Sequence, residues 1–587
     1  MKCHAQNLTE IPDDIPSGTT VLDLTDNQIE HLDFSRLTDL DKLRDLYVSK
    51  NHLQTVEVPD SFTMPDSLGR LHLDYNFIQD EFVETLFQEN STNIYELRLN
   101  SNYLTNLDFV LTRSLSHLKR LDCEGNLLQN LIVENRTLEN NLAMEWLNVA
   151  DNQIKGLVPI YESESEYGIT RKMPGLQFLD LSKNFGLKAI DRQTFSVNNG
   201  LISLNFDGTG IEYFRDINVT SLETLQIRSD NLKTFYLGQF IDSIRNNSVE
   251  RFSLAIGGPK LLKIDLEGIS GESSKLDFLK EFTISGLSDQ AELDISEIIS
   301  KMPSVKTVRI SNTGTAKLNY NFDMESVQFL QLHKTDVLNF ASSHGDLKNS
   351  LKYLEVTECG FGAFGIGFLE QFVNLEVLDI RGNNIKQISM GAMHNLHWIN
   401  FSENPGLKRV DLSAVSSLHT VIGNDCGVEE VELSEGLTVI ELKGNAIERL
   451  VEGGFSESVR WLEISGNSFV CDCEDVNYQN WLTGEIGGLE GYNYVCNSGV
   501  NAGVKIGDVD FSYCEVATTL VPETTEIVTT LEPETTKPKT TKPETEPITT
   551  TEPETEPITT TDPETESSSD LITVSVITFL TVFSVLF

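Results

Sequence analysis

The chain is short of the residues that perform chemistry or hold nucleic acid. Its 44 Lys and Arg stand against 89 Asp and Glu, a formal net charge of -45 with a pI near 4.5. Such a polyanion repels the phosphate backbone, so no nucleic acid partner is expected. Histidine is sparse at 10 residues, and His394 and His397 form no ligand set with the rest. No GxSxG elbow, HExxH or GxxxxGK[ST] occurs. Carboxylates scattered over a repeating surface read as solvated face rather than acid–base pairs. Catalysis, metals and cofactors are therefore not expected. The opening MKCHAQNLTEIPDDIP also lacks the apolar stretch that export requires. Later features call for secretion, so the expectation is an incomplete N-terminus.

What the chain has in quantity is one pattern. In 375–388, LEVLDIRGNNIKQI, apolar residues fall at Leu375, Leu378, Ile380, Ile385 and Ile388, with Asn383 between them. Leu378 and Ile380 alternate as a short strand does, placing both side chains on one face. Asn383 turns the chain, and Ile385 and Ile388 point back into the same interior. The spacing matches L-x-x-L-x-L-x-x-N/C-x-L, the leucine-rich repeat, with one strand and one return segment per coil. A single coil cannot bury its own apolar face, so the pattern predicts stacked neighbours and an α/β horseshoe solenoid with a parallel concave sheet.

Between residues 19 and 470 roughly nineteen coils can be counted, most near the usual 20 to 29 residues. The turn position reads Asn27, Asn51, Asn76, Asn102, Asn126, Asn152 and Asn184, then Asn383, Asn404, Asn445 and Asn467. An amide carries a donor and an acceptor, so a stacked column can satisfy backbone groups of adjacent turns. These asparagines are structural. In the middle, Thr209, Asp230, Thr313, Thr335 and Cys359 take the position, with Gly257 and Leu287 in the two weakest coils. The insertion 161–167, YESESEY, is expected as a loop on one flank.

Eight cysteines are unevenly spread. Cys123 falls at an inward strand position and reads as a small hydrophobe. Cys359 and Cys426 share the turn column about three coils, or near 14 Å, apart, too far for a bridge. Cys471, Cys473, Cys496 and Cys514 close the repeats as a C-x-C pair and two singles, a stapled cap of an oxidising compartment; zinc is the alternative, though C-x-C fits C-x-x-C spacing poorly.

After residue 516 the composition changes. Residues 517–566 repeat PETEPITTTE-like units, almost without apolar residues, and read as an extended, O-glycosylated or bare spacer. The end, SSSDLITVSVITFLTVFSVLF, carries an uncharged run over 571–587 with no basic residue behind it. A GPI-attachment signal needs small residues, here Ser567, Ser568 and Ser569, and an apolar tail; a transmembrane anchor is the alternative. No signalling domain is expected beyond it.

The x positions of each coil face outward. Trp146, Phe178, Phe329, Tyr353, Trp398 and Trp461 hold the third position, and aromatics on a rigid sheet are suited to interface anchors, unless they merely cover neighbouring strands. The fifth position is largely polar or charged, including Asp23, His72, Arg98, Asp122, Asp180, Arg309, Glu355, Asp379, Glu441 and Glu463. Most read as solvated surface, while Arg98, Asp122 and Asp180 join the aromatics as the candidate binding face, since mixed charge beside aromatics suits a protein or glycan. Sequons stand at Asn7, Asn90, Asn135, Asn218, Asn246 and Asn400. Only Asn400 falls on the concave strands, where a sugar beside Trp398 would favour the N-terminal half for ligand.

Cys3, Leu8, Ile11, Pro12, Ile15 and Pro16 resemble the end of the N-terminal cap of Slit-type and Toll-type extracellular repeat proteins, making 1–18 a partial cap. CDCEDVNYQNWL with Cys496 and Cys514, within 459–516, resembles the C-terminal flanking domain of the same proteins. That resemblance implies the pairs Cys471–Cys496 and Cys473–Cys514. Capped repeats, a 517–566 stalk and a 567–587 anchor signal are together similar to the connectin and chaoptin type of arthropod adhesion protein. The implied role is cell-surface adhesion, homophilic or heterophilic, toward a protein or glycan. The alternatives are a secreted or matrix scaffold and a single-pass co-receptor.

Overall fold

A computed structural model describes residues 1–510 except 60–61, 88–91, 134–140, 158–166, 191–193, 216, 218, 245–251, 268–277, 315–316, 320–325, 338–346, 361–366, 450–457, 472–494 and 506–507. The insertion loop therefore lies almost wholly outside the described residues, as do Cys473, Cys514, the stalk and the anchor segment.

Each coil contributes one short strand, from Val21–Asp23 to Trp461–Glu463, to a single 19-stranded sheet in which all pairings are parallel. Register is fixed by the inward residue: Leu22 lies opposite Leu46, Leu46 opposite Leu71, Leu71 opposite Leu97, all with no exposed surface. A slip of one residue would turn every such leucine to solvent, at about 1.5–3 kcal/mol each. The return side carries short parallel strands, such as Gln387–Ser389 beside Arg409–Asp411, and occasional helices such as Asp80–Phe87. The chain thus forms a leucine-rich repeat solenoid.

The asparagine column does what its chemistry allows. Asn404, wholly buried, donates from Nδ2 to the carbonyls of Phe401 at 2.8 Å and Ser402 at 3.2 Å in its own turn. It also donates to Ile380 O of the preceding coil at 3.1 Å and accepts from Ile385 N at 3.1 Å. Asn51, Asn76, Asn102 and Asn126 make equivalent sets. The residue before these asparagines is left-handed: Lys50, Tyr75, Ser101 and Glu403 have φ of 55°, 55°, 53° and 58°. That costs a non-glycine residue roughly 1–2 kcal/mol, and the bonds of the amide it aims inward offset the cost.

Where the column lapses, the details differ from expectation. Ser229, not Asp230, is buried and donates to Thr209 O at 2.6 Å and Ile211 O at 2.9 Å, while Asp230 is exposed. No left-handed residue precedes this turn, so the inward-pointing position comes one residue early. Gly257 is the last residue of the strand Phe252–Gly257, paired with Arg228 and Ser285, rather than a turn residue. A chain of phenylalanines fills this interior instead: Phe206 to Phe214, Phe214 to Phe235 and Phe240 to Phe252 have ring centroids 6.1, 5.4 and 5.9 Å apart. Packing of large rings here adds to the sheet and Ser229 hydrogen bonds as the coupling between coils, where the asparagine column is missing.

Residues 1–8 lie along the first coil, with Cys3 N donating to Asp23 O at 2.7 Å and Asn27 Nδ2 to Cys3 O at 2.8 Å. Cys3 is buried and free. At the other end Cys471 and Cys496 form a disulfide, Asn497 N donates to Phe469 O at 2.7 Å and Asn501 Nδ2 to Cys471 O at 3.0 Å.

Candidate functional site

Side chains at the third and fifth positions leave the sheet on the face away from the core, because successive strand residues alternate sides. On that face the third-position aromatic residues fall into two neighbouring pairs and two single sites, with Tyr47 at a fifth position beside His72. Trp146 and Phe178 are register partners, as are Phe329 and Tyr353. Trp398 stands beyond Val377, and Trp461 beyond Thr420 and Val439. Phe178 and Trp461 are 38 % and 39 % exposed, so each keeps free ring surface while its backbone is locked in the sheet.

Two of the rings carry a cation. The Arg120 guanidinium lies 4.0 Å from the Trp146 ring centroid, and that of Arg309 lies 4.9 Å from Phe329. Phe329 and Tyr353 stack with centroids 4.3 Å apart and planes 13° from parallel. Each cation–π contact contributes about 0.5–1 kcal/mol at such a site. Burial, with Glu355 and Asp379 nearby, holds the Tyr353 phenol well above its usual pKa.

In the N-terminal half the charges pair with one another. Arg70 reaches Asp45 at 3.2 Å and Glu96 at 3.4 Å, and Glu96 also takes His72 at 3.2 Å and Arg98 at 3.0 Å. Burial works against the Glu96 carboxylate, yet Arg98 and His72 outweigh it and hold its pKa below the usual range. Burial, reinforced by Arg98, depresses the His72 imidazole. Asp122 accepts from Asn148 Nδ2 at 2.9 Å, and burial raises its pKa. Asp180 accepts from Asn205 Nδ2 at 3.0 Å and Ser182 N at 2.8 Å.

The fifth position is not uniformly solvated. Glu355 and Asp379 are 9 % and 4 % exposed, against the expectation of free surface carboxylates. Neighbouring strands close over them, which a single coil's sequence does not display.

Reading third and fifth positions alone also misses the second. Lys306 and Lys352 stand just before a strand and Lys280 is the second residue of one, Leu279–Ser285; all three lie beside the Phe329 and Tyr353 pair and line one hollow with it. The signal was present as Leu279-Lys280, Val305-Lys306 and Leu351-Lys352, in the same consensus slot.

Asn400 is 8 % exposed and accepts from Ser402 N at 3.0 Å, so a sugar on its amide would have to displace the side chains packed around it. The reason for preferring the N-terminal half is correspondingly weak. Asn7 is exposed; Asn90, Asn135, Asn218 and Asn246 lie outside the described residues, as do Ser567, Ser568 and Ser569.

No family model matches the chain. It is 25% identical over 417 residues to Toll-like receptor 4 of Pongo pygmaeus, covering 66% of this chain and 48% of that one. It is 24% identical over 272 residues to Tsukushi of Gallus gallus, covering 42% and 70% respectively. The chain thus spans about half the length of that receptor. Among solved structures, one of the mouse RP105/MD-1 complex aligns over 87% of this chain and 98% of its own at 13% identity, with a TM-score of 0.43. Coil geometry and sequence relatives agree on the architecture of a leucine-rich repeat protein.

Proposed function

We propose that the chain is a cell-surface binding and adhesion protein that takes an extracellular protein or glycan partner, homophilic or heterophilic, on the outward face of its sheet. The observation that carries this reading is the pair Trp146 and Phe178: two adjacent rings, locked in register on a parallel sheet, with Phe178 38 % exposed. Rigid aromatic surface of this kind gives contact area at low entropic cost. Likeness to a Toll-like receptor over 66% of the chain supports a receptor-like role outside the cell. The protein has no catalytic part in this reading. Residues 517–566 act as a stalk, and 567–587 direct GPI attachment to the plasma membrane, with a disulfide between Cys473 and Cys514 completing the C-terminal cap.

Cells expressing the chain are expected to aggregate with each other or with a second cell type. Trp146→Glu with Phe178→Glu abolishes this at equal surface amount; unchanged aggregation would move the binding surface off these coils. Phosphatidylinositol-specific phospholipase is expected to release the protein, and retention would remove the GPI assignment.

A further inference from the structure

Lysines are outnumbered on this chain, which makes their gathering at one edge informative. Lys280, Lys306, Gln328 and Lys352 occupy the same slot in four successive coils, and the neighbouring coil fixes each. Lys306 N donates to Lys280 O at 2.8 Å, Gln328 N to Lys306 O at 2.9 Å, and Lys352 N to Gln328 O at 2.9 Å. At roughly 4.8 Å per coil the row extends about 14 Å. A hollow of about 560 Å³ opens between this row and the stacked rings of Phe329 and Tyr353, with Glu281 in its lining.

Charge at the hollow inverts that of the chain. Among the lining residues Lys280, Lys306 and Lys352 oppose one carboxylate, Glu281, itself 3.8 Å from Arg309. Outside the lining, Glu376 lies 2.7 Å from Lys352, and Glu355 and Asp379 stand near the Tyr353 ring. Over the whole sequence 89 acidic residues oppose 44 basic ones. A cationic row of fixed spacing beside a flat aromatic platform selects a ligand that offers spaced negative charge and an apolar side chain together.

We propose that this hollow binds an acidic peptide segment of the extracellular partner, its carboxylates on the lysine row and an apolar or proline side chain on the Phe329 and Tyr353 rings. The proposal rests on the sheet face being the binding surface. Glu281 and Glu376 among the lysines repel a chain sulfated at every sugar. A peptide instead presents backbone N–H groups to those carboxylates and to Gln328.

The test is fluorescence anisotropy on the purified full chain, with a fluorescein-labelled peptide alternating Glu with Pro and Phe as probe and a heparin oligosaccharide as competitor. Saturable, salt-sensitive peptide binding is expected. Lys306→Glu with Lys352→Glu weakens it about tenfold or more, as removal of paired charge contacts does. Phe329→Ala with Tyr353→Ala weakens it even where lysines are intact, and the milder Lys306→Gln with Lys352→Gln reproduces the loss should the reversals unfold the coil. Lys119→Glu, in the same slot of a distant coil and paired with Glu145 at 2.9 Å, leaves binding unchanged. Equal binding by wild type and both lysine variants overturns the proposal, as does heparin binding at this row without peptide binding. The probe reads this hollow alone, so its failure leaves the aggregation result with Trp146 and Phe178 standing, and the reverse.

Discussion

Glu355 and Asp379 lie directly opposite each other on the adjacent strands Tyr353–Thr357 and Val377–Asp379, both nearly sealed from solvent. The Glu355 charge adds to the cost of ionising Asp379. Thr357 Oγ1 donates to Glu355 Oε1 at 3.2 Å, and Arg381 Nε stands 3.4 Å from Asp379 Oδ2. Burial pushes Asp379 up to about 7; the Arg381 charge opposes the shift, and Glu355 and Glu403 add to it. From the next strand, Asn400 is its register partner.

A pH dependence follows from that shift. The native state holds the Asp379 proton more tightly than the unfolded chain does. The associated stability is fully present below the ordinary carboxylate pKa and is lost as pH rises through about 7. Asp379→Asn removes the charge that must be buried. The variant is expected to match wild type at pH 4 and to melt higher at pH 8, the gap being on the order of a few kcal/mol. Thermal melts across that range check it, and a constant difference at every pH would reject the assignment.

Asn404 is expected to be among the costliest polar residues to remove. Asn404→Ala leaves Ile385 N without its acceptor, at about 1–3 kcal/mol for a buried group that water cannot reach. Ile380 O and Phe401 O each lose one of two donors and keep those from Asn383 and Cys426. Asn404→Cys is expected to recover part of the loss. Cys426 already donates from Sγ to Phe401 O at 3.1 Å, as Cys359 does to Leu332 O at 3.3 Å. Denaturant melts of both variants and the wild type check this, and an Asn404→Ala variant as stable as wild type would show the column to be decorative.

The free thiols are expected to be inert in the folded protein. Burial raises Cys359 and Cys426 to about 11, and drives Cys123 well above its usual range. At pH 8 about one part in a thousand of Cys359 or Cys426 is thiolate, the nucleophilic form. Titration with a disulfide reagent should give negligible reaction at Cys123, Cys359 and Cys426 until guanidinium is added. Rapid native labelling at Cys426 would contradict its place in the turn column.

Much of this solenoid is legible in one dimension, for a physical reason. Leu22, Leu46 and Asn51 occupy the interior of every stacking neighbour, so coil spacing alone reveals them. The outward residues obey no such rule. Glu355 looks like Asp23 in the consensus, yet it is buried because the adjacent strands close over it. Ser229 takes the inward place expected of Asp230, since the left-handed residue that sets the turn elsewhere is absent. The lysine row was hidden differently. Its members are 26, 22 and 24 residues from the next in the same slot, and become one edge only when the coils are stacked in register.

A sugar wedge tests the central claim, binding through the sheet face, most directly. Ser203→Asn with Asn205→Thr creates a sequon on the strand Ser203–Asn205, beside Phe178. Tyr213→Asn with Arg215→Thr creates one on the return side, where Tyr213 is 49 % exposed. With glycan occupancy verified by mass shift and surface amounts matched, cell aggregation should vanish for the first variant and persist for the second. Aggregation that survives the sheet-face sugar, or fails only with the return-side one, would contradict the account.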